Sequence, residues 1–167
     1  VSLCFPWWSP AMTELVFLKL GGSFITDKTR EATAKPEVIR RVAREVAQAR
    51  AARPDLRLLL GHGSGSFGHF AAKRSGFGAG ARGYAETGAA AARLNRIVTD
   101  IFLEAGVPVV SMQPSASAMM DDGRLVEFAV APIRAALAHG LVPLVFGDVA
   151  FDRARGASIA STEIIFA

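Results

Sequence analysis

The sequence predicts an α/β protein built on an open, mostly parallel β-sheet. Three observations lead there. Short apolar runs rich in β-favouring residues alternate with longer segments of helical period. Three of those runs empty into glycine-bearing turns: Leu20-Gly21-Gly22, Leu60-Gly61-His62-Gly63 and Phe146-Gly147-Asp148. The first two runs are joined by a helix-length segment, and strand, helix, strand implies parallel pairing with a right-handed crossover.

The elements follow in order. Glu14 to Leu20 reads as a buried strand, with Lys19 as its anomaly. A lysine there is costly unless its ammonium reaches an anion or water; a side chain snorkelling at the sheet edge also satisfies it. Gly21-Gly22-Ser23 and Thr26-Asp27-Lys28 come next, so two lysines bracket the glycines. Pro36 to Ala52 predicts a helix: Pro36 suits its first position, and Val38, Ile39, Val42, Val46 and Ala49 form one apolar face. Leu56 to Leu60 is the second strand. It feeds Gly61-His62-Gly63-Ser64-Gly65-Ser66-Phe67-Gly68-His69, ahead of a helix at Phe70 to Arg74.

A strand that empties into glycines before a helix is a phosphate cradle, because the backbone can approach closely and the helix N-terminus offers unpaired N–H groups. A plain glycine-rich turn with a satisfied histidine has the same sequence signature. Ser75 to Gly83 reads as a mobile glycine-rich connection. Glu86 to Ala105 predicts a long helix carrying Leu94, Ile97, Val98, Ile101 and Phe102, stopped by Gly106. Val107 to Met112 is a third strand, followed by a loop around the turn signal Asp121-Asp122-Gly123. Pro132 to His139 is a short helix and Leu141 to Phe146 a fourth strand. Phe151 to Ala157 reads as a hairpin. Ser161 caps a last helix, whose first turn holds Glu163.

Composition bounds the function. The chain has 167 residues, 51% of them hydrophobic and 20% charged, as in one globular domain. The formal charge of +4 is a mild excess that suits a phosphorylated ligand. No basic cluster of nucleic-acid type is present, and no apolar run reaches membrane-spanning length. Cys4 is the single cysteine, which excludes an intrachain disulfide and points to a reducing, cytoplasmic setting. Residues 1 to 12 hold both tryptophans and no charge. They are expected to be an upstream extension, with Met12 as the natural start.

In an open parallel sheet the ligand lies beyond the C-terminal strand ends, where the three glycine turns can converge. No Walker loop is present. Gly63-Ser64-Gly65-Ser66-Phe67-Gly68 matches a dinucleotide fingerprint, but Glu86, at the spacing of its acidic partner, opens a helix rather than ending a strand.

Five motifs in order carry a resemblance: Lys19-Leu20-Gly21-Gly22-Ser23, Thr26-Asp27-Lys28, Gly65-Ser66-Phe67-Gly68-His69, Gly147-Asp148-Val149, and Gly156 through Ile159 to Ser161-Thr162-Glu163. Together they resemble the isopentenyl phosphate kinases of the amino acid kinase superfamily, over Leu15 to Ala167. The resemblance implies an α/β/α sandwich and an ATP- and Mg2+-dependent phosphorylation of isopentenyl phosphate. It implies a small-molecule phosphate acceptor, with neither nucleic acid nor membrane as partner, and a homodimer at full length. Residues 13 to 167 would be the N-terminal, acceptor-binding part, with the nucleotide-binding part beyond Ala167.

Carried over by motif, Lys19 and Lys28 would meet the transferring phosphoryl group, with Lys28 stabilising the transition state. Gly21, Gly22, Ser23 and Gly65 would serve the ATP phosphates. Ser64 and Gly147 would hold the acceptor through their backbone, and His69 would hydrogen-bond its phosphate. Asp148 and Glu163 would orient the lysines. The family commonly has glycine where this chain has Ser64, so a positive φ there would cost strain. A kinase of another small phosphate or phosphonate, such as a fosfomycin-type kinase, is the nearest rival. A nicotinamide-binding module and a non-catalytic phosphate-binding fragment are rivals of other classes.

Overall fold

The computed structural model describes residues 14–78 and 80–167, so the expected extension at 1–12 lies outside the described residues. Strand β1 (Leu15–Leu20) runs into a single helical turn, α1 (Gly22–Ile25). Helix α2 (Pro36–Ala52) has the predicted bounds and buries Ile39, Val42, Ala43 and Val46. Strand β2 (Arg57–His62), helix α3 (Gly65–Ser75), helix α4 (Ala81–Glu104) and strand β3 (Val109–Met112) follow. After a 3-10 turn at Pro114–Ala116 come β4 (Met119–Asp121), β5 (Arg124–Glu127), α5 (Val130–Ala138), β6 (Val142–Phe146), β7 (Asp148–Asp152), β8 (Gly156–Ala160) and α6 (Thr162–Phe166).

The main sheet has four parallel strands in the order β1-β2-β6-β3. Successive side chains of β2 point to opposite faces. Leu58 and Leu60 pack with α2 and α4 residues such as Val46, Leu94 and Phe102, whereas Leu59 packs with Ile133 and Leu137 of α5. Helices therefore cover both faces, the three-layer sandwich that the resemblance implies. A second sheet, β5-β4-β7-β8, buries Met120, Ala150 and Ala160 in a core of its own.

The register positions the site. Leu20 pairs with His62, and His62 pairs with Phe146. The last residues of three strands thus lie in one row, and the turns after them leave at the same level.

Several sequence expectations need correction. β2 runs to His62 rather than Leu60, because Gly61 and His62 are paired on both sides. α3 starts at Gly65 rather than Phe70. Glycine weakens a helix, but the Ser66 N–H donates to Thr26 Oγ1 at 3.0 Å and Phe67 sits in the core, so tertiary contacts decide. The glycine-rich connection is shorter than Ser75 to Gly83. Gly76 caps α3 in the left-handed region at φ 62°, and α4 begins at Ala81. The loop around Asp121-Asp122-Gly123 is the turn of a hairpin, β4-β5.

Candidate active site

Beyond the C-terminal ends of β1, β2 and β6 lies a cleft of about 430 Å3. Of the sequence candidates, Lys19, Gly21, Gly22, Ser23, Lys28, Ser64, Gly65, His69, Gly147 and Glu163 all line it. Residues more than 140 positions apart in the chain meet here because three strand ends share one register.

The glycines are set by close approach. A Cβ on Gly22 would lie 2.8 Å from both N and Cα of Gly65, and Gly65 itself has φ +52°. No side chain fits between the first two turns, so their backbones touch. The third turn reaches the second in the same way. An added Cβ on Gly147 would stand 3.4 Å from Ser64 N, and the Gly147 N–H donates to His62 O at 2.8 Å. Thr26 stitches the first turn to α3. Its hydroxyl donates to Gly22 O at 2.6 Å and accepts from the Ser66 N–H.

Ser64 has φ −70°. It lies in the ordinary right-handed region, so the strain that a serine here could bring does not arise; the positive φ belongs to Gly65. No side chain caps the N-terminus of α3. The Ser66 N–H is taken by Thr26, so the Ser64 and Gly65 N–H groups and the positive dipole end are what this helix start offers an anion at the cleft. His69 stands exposed on this helix, with its ring edge-on to Phe70.

The charges are arranged around these donors. Lys19 Nζ lies 2.6 Å from Glu163 Oε1, and the hydrogen bond from Lys19 holds the Glu163 carboxyl below its ordinary range. Glu163 sits in the first turn of α6, whose N-cap Ser161 accepts from the Ile164 N–H at 3.3 Å. Lys28 is exposed on the turn after α1.

Asp148 departs from expectation. It is not among the residues lining the cleft, and its hydrogen-bond partners are backbone N–H groups rather than a lysine. Its carboxylate accepts from the Ser115 N–H at 3.1 Å and its neighbour's Val149 N–H at 2.8 Å, and burial pushes its pKa up. The residue shapes the turn between β6 and the second sheet.

Sequence reading quoted His62 and Thr162 within motifs but gave them no role, and did not single out Asn95; His62 and Asn95 are buried behind the cleft and Thr162 lines it. Thr162 Oγ1 donates to His62 O at 2.7 Å. Nothing in their spacing distinguishes them from core residues.

Comparison with known proteins bears on the family and the fold. The model of the amino acid kinase family matches residues 14–167. The isopentenyl phosphate kinase of Methanothermobacter thermautotrophicus is 37% identical over 84% of this chain and 56% of its own length. That of Methanocaldococcus jannaschii is 32% identical over 90% of this chain and 62% of its own. A crystal structure of an isopentenyl phosphate kinase superposes with a TM-score of 0.82 at 35% identity, covering 91% of this chain and 65% of that one. The chain thus spans between half and two thirds of the length of these proteins. The match to the family model over almost the whole chain, on a sheet whose glycine turns meet in one cleft, shows that the protein belongs to the amino acid kinase family.

Proposed function

We propose that the protein works as an ATP-dependent kinase that phosphorylates isopentenyl phosphate to isopentenyl diphosphate. The observation that carries this reading is the meeting of three glycine turns with Lys19, Lys28 and His69 around one cleft. Phosphoryl transfer asks for positioning and charge neutralisation more than for covalent chemistry. Amide donors and ammonium groups supply both. Two groups of donors match two phosphates: Gly21, Gly22 and Ser23 beside Gly65 for the ATP phosphates, and the Ser64 N–H for the acceptor, with Gly147, whose own N–H is held by His62 O, as a close backbone wall beside it.

An oxygen of the acceptor's phosphate attacks the γ-phosphorus in line as the bond to ADP breaks. His69 donates a ring N–H to the acceptor's phosphate. Lys19, oriented by Glu163, and Lys28 hold the charge that spreads over the transferring oxygens. The cleft's donors are cationic and amide groups, which suit phosphate. Among the described residues no three His, Cys, Asp or Glu side chains gather as a metal site. Mg2+ would enter on the nucleotide's phosphates, where it supplies charge neutralisation.

No helix among the described residues is long and apolar enough to cross a membrane. A cytoplasmic location and a homodimer complete the proposal, and fractionation and light scattering test them. The activity test is ADP release by the intact natural protein with ATP, Mg2+ and isopentenyl phosphate, against parallel reactions with fosfomycin or without acceptor. Turnover on fosfomycin alone would move the protein to the rival kinase class, and ADP release independent of acceptor would remove the proposal.

A further inference from the structure

His62 ends β2 directly behind the cleft, and its ring is wholly buried. It stacks on Phe146 with ring centroids 5.7 Å apart. Nδ1 lies 3.0 Å from Gly63 O, and Nε2 lies 3.1 Å from the Asn95 amide end placed as Oδ1. The other end, placed as Nδ2, lies 2.6 Å from Ser111 Oγ. Burial pushes the ring's pKa down, and none of the groups bonded to it is a carboxylate that could hold a charge there, so the imidazole is neutral. A neutral imidazole has one N–H and one bare nitrogen.

Gly63 O can only accept. If Nε2 carried the proton, a bare Nδ1 would face a carbonyl oxygen at 3.0 Å, lone pair against lone pair, in the buried core. For a neutral ring one arrangement satisfies every group, and it turns the Asn95 amide end for end from that placement. Ser111 donates its hydroxyl proton to Asn95 Oδ1, Asn95 Nδ2 donates to His62 Nε2, and His62 Nδ1–H donates to Gly63 O. The two ends of an amide have nearly the same shape, so the hydrogen-bond pattern decides which is which.

The rest of this turn is also tied. His62 O accepts from the Gly147 N–H and the Thr162 hydroxyl, and the Gly63 N–H donates to Leu20 O at 3.1 Å. The 63–64 peptide is planar and trans, so its C=O and its N–H point in opposite directions. With Gly63 O drawn inward to the His62 ring, the Ser64 N–H is turned outward. None of the backbone hydrogen bonds of this turn uses that N–H. Ser64 and Gly147 line the cleft there.

We propose that His62 is a positioning residue: held as the Nδ1–H tautomer by Asn95 and Ser111, it locks the 63–64 peptide so that the Ser64 N–H is aimed at the acceptor's phosphate. The relay runs from β3 through α4 to the end of β2. It rests on the acceptor reading given above for its last link, and on the described geometry for the rest.

The first experiment is 15N NMR of the histidine rings in the intact natural protein. The expected result is a neutral His62 protonated on Nδ1 across the neutral pH range. An imidazolium, or a proton on Nε2, overturns the proposal.

The second uses isopentenyl phosphate and ATP as probes. His62→Leu is expected to raise KM for isopentenyl phosphate about tenfold, the effect of misaiming one charge-assisted donor, and to leave KM for ATP within about twofold. His62→Asn, whose amide can place an N–H near the Nδ1 position, should recover most of that loss. A merely structural histidine would move both constants together. Equal rises in both, or an Asn variant no better than Leu, overturn the proposal.

Ser111→Ala enters the relay from its exposed end and serves if His62→Leu does not fold. It should raise KM for the acceptor alone, by about threefold for one weakened hydrogen bond, and no change would count against the relay. If the unmodified protein binds no isopentenyl phosphate, the acceptor reading falls while the ring tautomer still decides the network.

Discussion

Lys19 and Lys28 show how two identical side chains can differ in task. Lys19 stands on a strand and is held at 2.6 Å by Glu163, so its position is set before any ligand arrives. Lys28 stands exposed on a turn, so under the proposed reaction its contact would be made with the ligand. Under the proposed reaction Lys28→Ala should lower kcat and kcat/KM together, by about a hundredfold or more, as when one donor to developing charge is removed. Steady-state kinetics check it; a rise in KM at constant kcat would make Lys28 a binding residue. His69→Ala should instead weaken use of isopentenyl phosphate while ATP affinity, read by calorimetry, persists. The basis is its exposed place at the cleft rim.

Lys19, Lys28 and His69 were singled out through the motifs that carry the resemblance, and the fold brings all three to one cleft. Asp148 was misread because an acidic residue after a strand looks the same whether it faces a lysine or caps a backbone turn. His62 and Asn95 could not be read as a pair. They lie 33 positions apart, on a strand and a helix, and only the fold brings them together.

Among elements, the turns carry more of the architecture than their lengths suggest. α2 was predicted to the residue because its apolar face and Pro36 are local signals. The start of α3 was missed because its glycines argue against a helix locally, while Thr26 and the core hold it in place. The contact between Gly22 and Gly65 can be tested directly. Gly22→Ala puts a Cβ 2.8 Å from the Gly65 backbone and must part the two turns. Displacement of donors on that scale should cut kcat/KM by about a hundredfold with the fold intact by circular dichroism.

The second sheet has its own clasp. The buried Asp152 carboxylate accepts from the N–H groups of Asp122, Gly123, Ala154 and Arg155 and from the Ser158 hydroxyl, tying the β4-β5 turn to the β7-β8 turn. Burial alone would raise its pKa, but these donors outweigh burial and hold the carboxyl well below the ordinary range. A carboxyl depressed in the folded state adds stability above its unfolded pKa of about 3.9, and that stability is lost as pH falls through the folded value. Asp152→Asn should therefore lower Tm at neutral pH and lose less on acidification than the unmodified protein. Parallel Tm curves down the acid range would show that the clasp contributes nothing.

At the scale of the whole molecule, the fold places a basic, donor-rich cleft at one end of a parallel sheet and leaves one corner of that sheet apolar. Among the described residues β1 pairs with β2 alone, at the edge of the main sheet. Leu15 and Phe17 point to the same face of this edge strand, and Phe17 meets Phe166 of α6 edge-on at 5.2 Å. Contact with α6 does not cover them: Leu15 stays 38% exposed and Phe17 50%. Apolar side chains beside free strand-edge N–H and C=O groups make a surface that pairs readily with another copy. The 167-residue chain is therefore expected to self-associate as its concentration rises. A lysine in place of Phe17 adds charge at the seam, which is how natural edge strands avoid pairing. Sedimentation equilibrium of the unmodified chain and of Phe17→Lys is the test. The unmodified chain should show a mass that climbs with concentration, and the variant should stay at the mass of one chain. If the unmodified chain stays monomeric, or if Phe17→Lys associates as strongly, the β1 edge is not the seam.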